Sequence, residues 1–171
     1  MASGALQQML TQTNWTEVEY LIVDMPPGTG DIQLTLSQRV PLNGAVIVTT
    51  PQDIALLDAR KGIEMFRKVE IPVLGIVENM STHICSSCGF EEDIFGSGGG
   101  VAIATEYNTE LLGQWPLAHG IRQQADSGNP TVVSEPDGQA AKTMMEVARK
   151  VIAAVEAGAG ETGPKISIVN D

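Results

Sequence analysis

The stretch Tyr20-Leu21-Ile22-Val23-Asp24-Met25-Pro26-Pro27-Gly28-Thr29-Gly30-Asp31 constrains this chain more than any other. Tyr20 to Val23 are apolar or aromatic without alternation, the pattern of a strand covered on both faces. Asp24 is the first charge after that run. It therefore falls at the strand's carboxyl end, where open α/β sheets place their ligands. Pro26 and Pro27 fix φ and turn Met25 away from helix. Gly28 and Gly30 permit close approach of backbone to a ligand, and Asp31 is placed to cap a following helix. An ordinary strand, turn and helix would satisfy these residues. So would an acidic group turned toward a hydrated Mg²⁺, followed by a loop that responds to a γ-phosphate.

The rest of the chain repeats the alternation of buried strand and amphipathic helix. Ala5, Leu6, Met9 and Leu10 predict a short helix over Ser3 to Thr13, closed by Asn14-Trp15. Ile32, Leu34, Leu36 and Val40 fit a helix from about Asp31 to Arg39, ended by Pro41. Gly44 to Thr49 reads as a second buried strand. Thr50-Pro51-Gln52-Asp53 has the form of a capping box with Pro at the first helical position. It opens a helix to about Phe66, with Ile54, Leu57, Ile63 and Phe66 facing inward. Val73 to Val77 is a third buried strand. Strand–helix–strand units in series predict parallel strands with right-handed crossovers. Residues 78–100 have little periodicity and many turn formers, so they read as a long functional loop. After it come a helix over Val101 to Tyr107, a strand over Leu111 to Trp115, a helical turn over Ile121 to Ala125 and a long helix. A cap signal at Ser134 to Asp137 precedes that helix, which carries Ala140, Met144, Val147, Val151 and Val155 on one face. The expectation is one α/β domain over residues 1–157, with a mobile tail over 158–171.

Composition narrows the function. A formal net charge of -11 is opposed to a nucleic-acid surface, which needs a basic face, and to docking on anionic lipid. No apolar run approaches the roughly 20 residues of a membrane span. The first residues lack the charged and apolar regions of a secretion signal, so the expected address is the cytoplasm. The only cysteines are Cys85 and Cys88. They do not form a secreted disulfide framework; Cys85-Ser86-Ser87-Cys88 brings two thiols within reach of one metal ion or cluster. Thiol–disulfide exchange and an inert pair remain open at this point. A complete site usually takes four ligands. His83 is a candidate third; otherwise a second copy of the chain must complete the site across a twofold axis.

Other motifs carry less. Gly96-Ser97-Gly98-Gly99-Gly100 lacks a following Lys and Ser/Thr, so it is not a phosphate-binding P-loop and reads better as a flexible hinge. Asn79 follows a strand end and offers an amide to a base edge, although turn asparagines are common. Asp53 and Asp58 are read as a solvated helix face, His119 has no assigned role, and Trp15 and Trp115 are expected in the core.

Taken in order, Val23-Asp24-Met25-Pro26-Pro27-Gly28-Thr29-Gly30-Asp31, Thr49-Thr50-Pro51-Gln52, Val77-Glu78-Asn79-Met80, Cys85-x-x-Cys88 and Gly113-x-Trp115-Pro116-Leu117 resemble the Mrp-type iron–sulfur cluster carrier ATPases. These stand with MinD- and ParA-like proteins among the deviant-Walker-A P-loop NTPases, whose fold is a Rossmann-like, three-layer parallel sheet. The resemblance implies that Asp24 is the Walker B acid holding the Mg²⁺ shell. It implies that Pro27, Gly28, Thr29, Gly30 and Asp31 form the nucleotide-responsive switch. By the same resemblance Asn79 contacts adenine, and Pro116 and Leu117 line the other side of the base. Cys85 and Cys88 would bridge a [4Fe–4S] cluster between the two subunits of a homodimer. The cluster would pass to apo iron–sulfur proteins, with binding and hydrolysis of Mg²⁺-ATP coupled to the cycle. A MinD- or ParA-like partitioning switch is the alternative. It would need a lipid-binding helix, and Lys142, Arg149 and Lys150 are few for one. A small zinc-binding module using His83 is a further alternative.

One departure is large. No Gly-x-x-x-x-Gly-Lys-[Ser/Thr] occurs in this sequence. The chain thus resembles the C-terminal portion of such a protein, with an incomplete sheet. The expectation is little or no ATP turnover by this chain alone; Mg²⁺-dependent turnover lost in Asp24→Ala would contradict it. A second expectation concerns the strands ending at Asp24 and Thr49. Their shared neighbour in that class is the P-loop strand, so they either close on each other or recruit a strand from another chain.

Overall fold

The computed structural model describes residues 2–25, 30, 33–34, 40–85 and 87–158. Its centre is a three-stranded parallel sheet in the order β1–β2–β5. The strands are β1 (Ala45–Thr49), β2 (Val73–Glu78) and β5 (Leu111–Gln114), each built from the apolar runs expected of doubly covered strands. The helix α1 (Ala2–Gln12) precedes them. Between β1 and β2 runs α2 (Asp53–Lys68), and between β2 and β5 runs α3 (Gly99–Glu106). Both crossovers step the same way across the sheet, so crossovers of one hand put both helices on one face. Ile47, Leu56, Ala59, Ile63, Ile76, Ile103 and Ala104 close that layer. Ile63, Ile76 and Ile103 are completely buried, each contributing about 1.5–3 kcal/mol of transfer free energy.

The other face is covered by the last helix. After β5 come α4 (His119–Asp126), α5 (Thr131–Ser134) and α6 (Gln139–Gly158). Val147 and Val151 of α6 pack on Val77 and Leu112, with Val46 and Trp115 beside them. Trp115 is therefore core, as expected. A small antiparallel hairpin of β3 (His83–Ile84) and β4 (Glu91–Glu92) projects from the loop after β2. Among the described residues no helix is long and apolar enough to cross a membrane.

Several expectations fail here. Residues 20–24 form no strand: they pair with none of the described strands, and Ile22 is 82% exposed. A strand needs a ladder partner, and no described neighbour offers one. The segment is tied instead by the Tyr20 hydroxyl, which donates to Glu156 Oε1 of α6 at 2.9 Å. Nor does it close on β1, whose second edge is unpaired among the described residues. Trp15 is 39% exposed, its Nε1 donating to Leu10 O at 2.8 Å. On α2 the inward stripe is Leu56, Ala59 and Ile63, whereas Ile54 and Leu57 are exposed. Spacing alone matched both stripes, and packing against Ile47 and Ile76 of the sheet and Ile103 of α3 selects one. The helix is capped by Gln52 without a side-chain hydrogen bond, so no capping box forms; Thr50 Oγ1 instead meets Gln52 Oε1 at 3.0 Å. The helix expected over 31–39 falls outside the described residues except at Gln33 and Leu34, and the expected tail lies outside them beyond Gly158.

Candidate functional site

The three parallel strands end level with one another: Thr49 pairs with Glu78, and Glu78 with Gln114. Asn79, the cysteine loop and the Pro116-Leu117 turn all leave this carboxyl edge. The ladder continues past the strands. Asn79 N donates to Thr49 O at 2.8 Å, Trp115 N to Glu78 O at 2.8 Å, Ser81 N to Trp115 O at 3.0 Å and Leu117 N to Thr82 O at 2.8 Å. His83 forms an isolated parallel bridge with Leu117. Residues 115–117 thus run beside 78–83, and this carries the chain outward from the sheet to the hairpin.

Asn79 and the Pro116-Leu117 turn leave neighbouring strands at the same end of the sheet. The Asn79 side-chain oxygen is taken by Met80 N at 2.9 Å. Its amide nitrogen has no partner among the described residues and stays available to an acceptor. Pro116 faces a hollow shared with Ile84, Ala118, Gln124 and Gln139. Asp24 is exposed and makes no hydrogen bond or ion pair among the described residues. Gly30 is exposed and its carbonyl accepts from Leu34 N at 3.2 Å. Pro27, Gly28, Thr29 and Asp31 lie outside the described residues.

The two thiols sit at the tip of the β3–β4 hairpin. Cys85 N donates to Phe90 O at 2.9 Å, and Gly89 N returns to Cys85 O at 2.9 Å. Gly89 takes φ +70, which a side chain would strain, and so turns the chain back after Cys88. The N–H of Ser87, then that of Cys88, hold the Cys85 thiol below its ordinary range, and the Cys88 thiol adds to the effect. Both cysteines are free, Cys88 exposed and Cys85 partly so. His83 does not join them. Its Nδ1 lies 3.2 Å from Leu117 O, and no cluster of three or more His, Cys, Asp or Glu suited to a metal occurs among the described residues. Among the described residues, then, the expected third ligand His83 is not grouped with the two thiols.

Two features were not read from sequence. Glu78 is completely buried at the end of β2, where an apolar run made a polar terminus look incidental. The glycine run is not merely a hinge: Gly99 and Gly100 are buried at the start of α3. A Cβ on Gly99 would lie 2.7 Å from Leu56 Cδ1, and one on Gly100 would lie 3.0 Å from Glu78 Oε2.

A family model described as ParA, NUBPL iron-transfer P-loop NTPase, matches residues 1–152. The chain belongs to this family. An iron-sulfur cluster carrier protein of Pseudomonas fragi is 62% identical over 148 residues, which are 86% of this chain and 52% of that one. An iron-sulfur cluster transfer protein, NUBPL, of Mus musculus is 49% identical over 152 residues, 89% of this chain and 48% of that one. The chain thus spans about half the length of the curated relatives it matches. Among solved structures, a nucleotide-binding protein of Archaeoglobus fulgidus in complex with ADP superposes with a TM-score of 0.68 at 37% identity, covering 78% of this chain and 54% of that one. The parallel sheet with helices on both faces is accordingly the P-loop NTPase fold, as the sequence resemblance implied.

Proposed function

We propose that this chain binds an iron–sulfur cluster through Cys85 and Cys88 and passes it to apo iron–sulfur proteins. The observation that carries the reading is the turn around Cys85. Backbone N–H groups directed at a sulfur stabilise a thiolate, the form that ligates iron or zinc. With only two thiolates per chain, a [4Fe–4S] cargo takes its four from two copies, held through the hairpin in a homodimer. The two free thiols fit the cytoplasm, where such pairs stay reduced.

The same reading gives the carboxyl edge of the sheet half of a nucleotide site. Asn79 offers to the base an amide N–H group that has no partner among the described residues, and Pro116 and Leu117 border it from the adjacent strand. Asp24 would orient the Mg²⁺ shell and residues 27–31 would answer to the γ-phosphate. No P-loop motif is present to cradle the phosphates, so the described residues fit the base and not the triphosphate. Turnover of ATP with Mg²⁺ by this chain alone is therefore not expected.

Anaerobic incubation with ferrous iron and sulfide tests the cargo. The chain should acquire a broad visible sulfur-to-iron absorption at one cluster per two chains, and pass it to an apo-ferredoxin. Cys85→Ser should abolish the colour while leaving the far-ultraviolet circular dichroism unchanged. Stoichiometric zinc uptake with no chromophore would sink the cluster reading in favour of a zinc module.

A further inference from the structure

We propose that Glu78 is the positioning residue of the cysteine loop, its carboxyl group clamping the point where the loop leaves the sheet to the point where it rejoins it. Glu78 is 0% exposed, the one acidic side chain among the buried described residues. Its Oε2 accepts from Gly100 N at 2.5 Å, and its Oε1 accepts from Gln114 Nε2 at 2.7 Å. The first bond reaches the start of α3 and the second the end of β5. The loop bearing Cys85 and Cys88 starts at the residue after Glu78 and ends at α3. One side chain therefore holds both of its ends.

The approach is close enough to dictate the residue at 100. A Cβ there would lie 3.0 Å from both Cβ and Oε2 of Glu78 and 3.1 Å from Leu111 Cδ1. The two limbs of the loop are unequally supported. The outgoing limb has the ladder of residues 81–83 with 115–117. Beyond the hairpin, the returning limb has the Thr82 hydroxyl on Asp93 at 3.2 Å and the turn from Gly96 N to Asp93 O at 3.0 Å. Gly99 is then seated on Leu56, and the bond from Gly100 to Glu78 fixes the limb to the sheet. Freeing that end lets the hairpin tilt, and with it the sulfur atoms. The significance for cargo rests on the cluster-binding reading; the clamp itself does not.

The test uses the full chain with three substitutions. Glu78→Leu keeps the bulk and deletes both acceptors. Glu78→Gln keeps an oxygen for Gly100, and its amide N–H group can meet a rotated Gln114. Gln114→Leu removes one arm at an exposed position, so folding is preserved. Two quantities are read where circular dichroism shows each variant folded: deuterium exchange of amides 83–92 relative to those of α6, and affinity for Co²⁺ by its thiolate charge-transfer absorption. Loss of hydrogen bonds of this kind corresponds to about tenfold or more in an equilibrium. Glu78→Leu should therefore speed hairpin exchange and weaken Co²⁺ binding about tenfold, Gln114→Leu should do so about threefold, and Glu78→Gln should stay near the parent. A purely structural glutamate would lower the unfolding midpoint and leave both readings unchanged in the folded protein. That result in Glu78→Leu, or in Gln114→Leu where the former does not fold, overturns the proposal. Failure of the parent to take up a cluster, with hairpin exchange still responding to Glu78→Leu, would overturn the cargo reading and leave the clamp standing.

Discussion

Cys85 is where a single residue's surroundings set chemistry. Its sulfur receives the N–H of Ser87 first and that of Cys88 second, and both favour the thiolate. Alkylation by iodoacetamide should therefore follow a pH profile lying below that of a free cysteine. Ser87→Pro deletes the first donor and should move the profile back up. The sign for folding follows from the same bonds. A thiol whose folded value is lowered adds stability above the ordinary thiol range, and the contribution is lost as pH falls through the lowered value. The site is exposed, so the effect is read in reactivity and not in melting. A Cys85 profile at or above that of a free thiol would refute the N–H contacts. None of this was legible in the spacing alone, which left metal, redox and inert readings open. The turn geometry adds a lowered thiol to that picture, and φ at Gly89, which shapes the turn, is a property of the fold.

At the scale of elements, the packing of α6 on the sheet depends on an absent side chain. A Cβ on Gly113 of β5 would lie 2.5 Å from Val147 Cγ2 of α6. Gly113→Ala should then cost about 1–3 kcal/mol by overpacking, less the roughly 0.5–1 kcal/mol an alanine returns in backbone entropy. Urea unfolding checks it: the midpoint should fall with the slope unchanged. An unchanged or raised midpoint would mean that α6 is free to shift. Elements whose signal is local were legible. The runs at 45–49, 73–78 and 111–114 became strands because each finds a parallel neighbour, and α6 showed its apolar face as spacing predicts. Elements needing a distant partner were not. Tyr20 to Val23 has the composition of a buried strand and, among the described residues, no ladder to join. Glu78 looked like a strand end because its two partners lie 22 and 36 residues away. Of the residues named for the nucleotide, Asn79, Pro116 and Leu117 do converge on one end of the sheet. Asp24 stands apart on a segment without a strand to hold it.

For the whole molecule the unfinished part is the far edge of β1. Parallel sheets are covered on both faces, and natural proteins do not leave an apolar edge open without charges or bulges to guard it. Here β1 pairs with β2 alone among the described residues. Alternation along the strand puts Val48 on the same face as Val46, the face that α6 covers. Val46 reaches that layer while Val48 is 59% exposed, so the cover thins across the width of β1. Tyr20, Leu21 and Ile22 are exposed as well, and carry the composition of a strand. Since the two apolar runs do not close on each other among the described residues, a route to burial for this chain by itself is a strand from another chain, added by backbone hydrogen bonds along β1. The expected outcome is a light-scattering mass above that of one chain, rising with concentration. Val48→Lys, a charge of the kind that blunts edges, should lower it toward the monomer while β2 and β5 remain folded. A strictly monomeric parent at high concentration, with the amides of β1 fully protected from exchange, would show that the edge is closed within one chain and refute the prediction.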